Sequence, residues 1–179
     1  MRSFSEIETA VKRATRGVGF SWGISEEVGK NIRLLEMFGL PGFKNINQYF
    51  KIIKTQEFEK ISTVSSINNS KSLYCPITMG VNFFDQSIHL KDANNIEITN
   101  LGFPLLFIPF VSRASEVIGK RIFLKIDNKE FLFNLNRTKL KKIGPITVLI
   151  VPILCGIIIQ KGRYRSPLAI FLTDSLKLS

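Results

Sequence analysis

With one histidine, one tryptophan and two cysteines in 179 residues, the chain is poor in the side chains that build metal centres and disulfide frameworks. Cys75 and Cys155 belong to no CxxC pair, so they read as reduced thiols placed independently. A protein-only zinc site needs more sulfur and imidazole than this, and no metal ligands are assigned. No GxxxxGK[ST] element occurs, which removes the usual nucleotide-binding P-loop. No basic leader precedes an apolar core in MRSFSEIETAVKR, and the expected location is cytoplasmic.

Acidic residues are scarce as well: 14 against 25 Lys and Arg, for a net charge of +11. The imbalance is uneven. Residues 1 to 50 carry +2, residues 51 to 110 balance, and residues 111 to 179 carry +9. Such a field suits an anionic partner, and the candidates are an anionic small molecule, an acidic protein or, less favoured, a nucleic acid. The basic patch comprises Arg137, Lys139, Lys141, Lys142, Lys161, Arg163 and Arg165. Its simplest reading is a solvated face, because no RNA-recognition signature or zinc finger accompanies it.

Apolar residues are plentiful. At 45% hydrophobic with 15 phenylalanines, the chain can fill one substantial core. IGPITVLIVPILCGIII, residues 143 to 159, is uncharged and contains Pro145 and Pro152. It falls short of the roughly 20 residues that cross a bilayer. Two buried strands separated by a bend are expected there, with membrane contact through 143 to 159 as the disfavoured alternative.

Periodicity predicts an α+β fold: an N-terminal helical hairpin and a third helix packed with a mainly antiparallel sheet. The first helix is expected over residues 6 to 16, capped by Ser5 and Glu8. The glycines of ATRGVGFSWGISEEVGK, residues 14 to 30, predict the hairpin turn. A second helix is expected from Ser25 to before Gly39, with Glu26 and Glu27 against its positive end, and a third over INQYFKII, residues 46 to 53. STVSSINNSKS, residues 62 to 72, reads as a mobile loop. It separates a helical subdomain, 1 to 60, from a strand-rich region, 73 to 179, the two forming one integrated domain. IEIT at 96 to 99, PLLFIPF at 104 to 110 and RIFLKIDNKEFLFNL at 121 to 135 read as strands, the last as a hairpin. A short helix is expected around 112 to 118, and SPLAIFLTDSLKL as a final helix or interface segment.

Few side chains offer chemistry. The weak catalytic candidates are Cys75 as nucleophile, His89 as base and Asp85 as orienter, an arrangement for acyl-type chemistry if they converge. Pro76 and Gly80 beside them read as a constrained turn, with Cys75 a structural thiol. Arg16, Trp22, Ser25 and Arg113 are the ligand-binding candidates: cations and a helix start for negative charge, an indole for stacking. The simpler readings are packing for Trp22 and an ion pair with Glu116 for Arg113.

Taken in order, RATRGVGFSWGISEEVGK, LPG, YCPITMG and PLLFIPFVSRA resemble an uncharacterised bacterial family defined as a domain of unknown function, over about residues 3 to 135. The resemblance implies a compact cytosolic domain and brings no activity, cofactor or catalytic set. The apolar segment 143 to 159 departs from the more polar ending expected of that family. Three functional classes follow. The first is an accessory or small-ligand-binding protein that associates with a metabolic partner or forms a homo- or hetero-oligomer. The second is a small metabolic enzyme with a pocket between the helices and the sheet. The third is a nucleic-acid-binding protein.

Overall fold

The computed structural model describes residues 3–93, 95–126, 129–133, 141–143 and 168–173. The chain opens with helix α1, Phe4–Gly17, followed by α2, Trp22–Met37, and α3, Gly42–Ile52. Both hairpin helices begin earlier than their sequence signals indicated. At α1 the capping box is formed by Ser3 and Glu6. Ser5–Glu8 has the same spacing two residues on, and the pair that leaves the longer helix prevails. At α2 the cap is Ser21, whose hydroxyl accepts the Ile24 amide. Ser25 therefore lies inside the helix, buried, with its hydroxyl donating to the Ser21 carbonyl at 2.8 Å. The turn between the helices passes through Gly19 at φ +100°, a left-handed conformation that side chains with a Cβ resist.

Val11 of α1 and Val28, Ile32 and Leu35 of α2 are buried, at the three- and four-residue spacing of one helical face. This stripe closes the hairpin. α3 starts four residues before the expected point, at Gly42, directly after Pro41.

Residues 62 to 72, expected as a loop, are largely exposed but hold a short strand. They contain β1, Ile67–Asn68, whose Asn68 amide donates to the Ser65 and Glu97 carbonyls at 2.6 and 3.0 Å. Val64 is buried above it. Polar composition hid this anchoring, because here the asparagine side chain satisfies backbone groups that a surface loop would leave to water.

Helices, not strands, come next: α4, Pro76–Asp85, and the single turn α5, Ser87–Leu90. Pro76 sits in the first turn of α4, where its missing N–H costs nothing. β2, Asn95–Ile98, follows with Ile96 and Ile98 inward, the alternation that IEIT predicts. PLLFIPF is buried as expected but is not a strand. Pro104 opens a short 3₁₀ turn, Pro104–Leu106, and Pro109 lies in the first turn of α6, Ile108–Ile118. An apolar run of this length fits a buried helix as well as a buried strand.

β3, Arg121–Ile126, and β4, Lys129–Phe133, form the expected antiparallel hairpin. β5, Lys141–Ile143, pairs with β4, and β6, Leu168–Thr173, pairs with both β2 and β3. SPLAIFLTDSLKL, expected as a final helix or interface segment, thus supplies an interior strand. The sheet order is β1-β2-β6-β3-β4-β5, with the β1–β2 pair parallel and the other pairs antiparallel. α6 packs on β3 and β4 and also meets α2 and α4, so it joins the helical part to the sheet in one α+β fold. One buried cluster runs from Val11 to Phe133. The strands expected at 145 to 153 and 156 to 159 lie outside the described residues.

Candidate functional site

A cleft of about 690 Å³ opens where the α1–α2 turn, the end of α3 and the segment before α4 meet. Val18, Gly19 and Phe20 form one wall. Ile53 and Gln56 form a second, and Glu57, Phe58, Glu59, Lys60 and Ser72 complete the rim. No residue of the six strands lines it. The cleft lies on the helical side of the fold.

Its floor is made by Tyr49 and Cys75. The phenolic oxygen and Sγ are 3.0 Å apart and share a hydrogen bond. Tyr49 reaches this position from α3, held edge-on by Phe58 and Phe103 at 5.3 and 5.6 Å between ring centroids. Cys75 is fixed because it caps α4, its sulfur accepting the Thr78 amide at 3.4 Å. The two residues are 0% and 1% exposed, so they lie just beneath the surface that water reaches. Burial, with Cys75 adjoining, pushes the Tyr49 phenol well above its ordinary range, and it stays a neutral hydroxyl at any physiological pH.

Of the three catalytic candidates, Cys75 alone lines the cleft. Asp85 ends α4 and His89 lies on α5; both are exposed, and neither hydrogen-bonds the other or Cys75. The ligand-binding candidates are also separated. Arg16 donates to the Phe20 carbonyl at 2.7 Å, which braces the hairpin turn. Trp22 is 60% exposed, with the Lys12 ammonium 4.2 Å from its ring centroid. Ser25 is buried in α2. Arg113 does not pair with Glu116: its guanidinium bonds Glu27 of α2 and lies over the Phe84 ring at 4.5 Å. Lys141 and Lys142 belong to β5, and Arg137, Lys139, Lys161, Arg163 and Arg165 fall outside the described residues.

Glu26 and Glu27 point apart, as adjacent helical residues must. Glu26 pairs with Lys12 of α1 at 2.5 Å, and Glu27 with Arg113 of α6 and Lys30 at 3.2 Å. They act as ties between helices more than as partners of the helix dipole, since α2 begins a full turn earlier than expected. Burial raises the Glu27 carboxyl, but the hydrogen bonds and charges of Arg113 and Lys30 outweigh it and leave the group below the usual range. A depressed carboxylate stabilises the fold above its unfolded value and loses that contribution as pH falls through the folded value. Acid unfolding of Glu27→Gln should consequently begin from a lower starting stability and show a shallower dependence below pH 4.5 than the parent. Urea midpoints measured from pH 7 to 3 check this.

No group of three or more His, Cys, Asp or Glu residues able to hold a metal occurs among the described residues. None of their helices is long and apolar enough to cross a membrane. The segment from α1 to the cap of α4 carries every lining residue of the cleft. That segment, residues 2–75, matches the family described as Protein of unknown function (DUF3726). The DUF3726 match stops at Cys75, short of the 3 to 135 over which the resemblance was expected, and covers the three N-terminal helices and β1 but none of α4, α6 or the other strands. No curated protein and no solved structure matches the chain.

Sequence reading passed over Tyr49 and Phe58. Tyr49 was visible as one apolar position of a helical stripe, and nothing in the spacing distinguishes a tyrosine that ends against a thiol from one that ends in solvent.

Proposed function

We propose that the chain is a small-molecule-binding protein whose site is the cleft above Tyr49 and Cys75. The observation that carries the reading is the size and make-up of the cleft: about 690 Å³, within the range of ligand sites, with apolar Val18, Phe20, Ile53 and Phe58 beside Gln56, Ser72 and a phenol–thiol pair. Apolar walls would hold the body of a ligand, and the polar and charged groups of the rim, Gln56, Glu57, Glu59 and Lys60, would orient it. Binding is preferred to catalysis because Asp85 and His89 do not line the cleft, so the Cys75, His89 and Asp85 arrangement is not assembled there.

A fragment library screened by thermal shift against the full chain tests the proposal. Binders at 100 times their Kd should add about 2.7 kcal/mol, perturb the amide resonances of Gly19 and Gln56, and lose affinity at least tenfold in Ser72→Trp, which fills the exposed rim. Fragments that bind equally well to Ser72→Trp, or a screen with no binders, would remove the cleft from consideration.

A further inference from the structure

Three bulky apolar side chains stand exposed at one end of the helical unit. The ion pairs Lys12–Glu26 and Arg33–Glu8, at 2.5 and 3.0 Å, show that α1 and α2 run antiparallel. Continuing that register places Phe4 at the start of α1 beside Met37 at the end of α2. The Glu36 carboxylate accepts the Phe43 amide at 2.7 Å and brings the start of α3 to the same end. Phe4, Met37 and Phe43 are 49%, 53% and 37% exposed.

α3 adds charge of one sign. Its sequence, GFKNINQYFKI, contains no carboxylate. Lys44 and Lys51 on the helix, and Lys54 just beyond it, are exposed, and none makes an ion pair or hydrogen bond among the described residues. At roughly 100° per residue, Phe43, Lys44, Asn47 and Lys51 fall on one side of the helix, and Lys54 follows just past its end. The acids at this end are occupied internally: Glu6 on the Ser3 amide, Glu8 on Arg33 and Glu36 on Phe43. An apolar tip therefore adjoins three ammonium groups that form no ion pair among the described residues.

We propose that this exposed side of α3, with Phe4, Met37 and Phe43 at its end, docks on an anionic lipid surface. The lysines would lie among phosphate headgroups, each contributing about 1 kcal/mol near such a surface, while the three apolar side chains enter the acyl boundary. Lipid fits better than nucleic acid, because the row lacks arginine's planar fork and the rings between Lys44 and Lys51, Tyr49 and Phe50, are buried and half-buried. It also fits better than an acidic protein groove, since Lys44 and Lys51 lie about 10 Å apart along one exposed helical flank at 1.5 Å per residue, with Lys54 just past its end. Tyr49, the lining residue that α3 itself supplies, falls on the other side of the helix at about 100° per residue, so docking leaves the cleft floor uncovered. The proposal does not depend on what the cleft binds.

Co-sedimentation of the full chain with phosphatidylcholine vesicles, with and without phosphatidylglycerol, is the test. Binding is expected to the anionic vesicles alone. Lys44→Gln/Lys51→Gln/Lys54→Gln should weaken it roughly 100-fold, from about fivefold per lysine, whereas the equally charged control Lys60→Gln/Lys71→Gln/Lys91→Gln should change it less than tenfold. In Trp22→Phe/Phe43→Trp the single indole should shift its emission to the blue on anionic vesicles. Equal loss in the two triple variants would reduce the effect to overall charge and overturn the proposal. So would absence of the blue shift, absence of vesicle binding, or capture of a poly(dT) oligonucleotide or polyglutamate through the same lysines without vesicle binding.

Discussion

Tyr49→Ala is expected to lower stability by about 4 kcal/mol, the scale of removing a large aromatic side chain from a core. Tyr49 is fully buried and meets Phe50, Phe58 and Phe103 at ring-centroid distances of 5.9, 5.3 and 5.6 Å. Truncation empties the space that these rings enclose and leaves Cys75 Sγ without its phenolic partner. Tyr49→Phe separates the two losses. It keeps the ring and removes the hydroxyl, so the expected cost is about 1 kcal/mol, the net value of one hydrogen bond. Urea denaturation of both variants gives the comparison. A Tyr49→Phe loss approaching that of Tyr49→Ala would mean that the thiol–phenol contact, more than the aromatic packing, holds the cleft floor together. The same pair bears on ligand binding. Tyr49→Phe should keep the shape of the cleft and weaken fragments that use the hydroxyl, while leaving purely apolar fragments unaffected.

The helical hairpin, β2 and the β3–β4 hairpin could be read from the sequence because each carries its own period: Val28, Ile32 and Leu35 at helical spacing, Ile96 and Ile98 alternating, and two apolar runs around Asp127–Asn128. Where the period is ambiguous, local pattern misleads. PLLFIPF is apolar throughout and could not distinguish a buried strand from a helix; Pro104 and Pro109 at the starts of helical turns were the available signal. Pro76 and Gly80 also looked like turn residues, yet Pro76 begins α4 and Gly80 lies within it. Leu168–Thr173 becomes an interior strand through pairing with β2 and β3, about 70 and 45 residues earlier in the chain, and such non-local pairing leaves no mark on a short apolar run. The site was less legible than the fold. Arg113 has a carboxylate three residues away at Glu116, but the tertiary structure presents Glu27 from another helix. Tyr49 and Cys75 are joined by chain folding alone, across a separation that no motif spans.

Gly80→Ala should destabilise the protein by about 2 to 3 kcal/mol even though alanine is the better helix former. On an exposed helix, the exchange would gain about 1 kcal/mol. Here a Cβ built at Gly80 would lie 2.2 Å from Cδ2 of Phe110 and 2.6 Å from both Cε2 and Cγ. That is a collision with the face of a ring, and Phe110 is itself 2% exposed, so the ring has little room to swing away. α4 and α6 must instead separate. Because α6 also packs on β3, β4 and α2, the displacement would loosen the joint between the helices and the sheet. Phe110→Leu provides the control: alone it should destabilise by removing buried aromatic volume, but combined with Gly80→Ala it should recover at least 1 kcal/mol of the expected sum, a coupling characteristic of direct contact. Urea melts of the two single variants and the double variant complete the cycle. If Gly80→Ala proves more stable than the parent, or the two losses simply add, α4 and α6 do not approach through Gly80, and the helix–sheet joint owes its closeness to other residues.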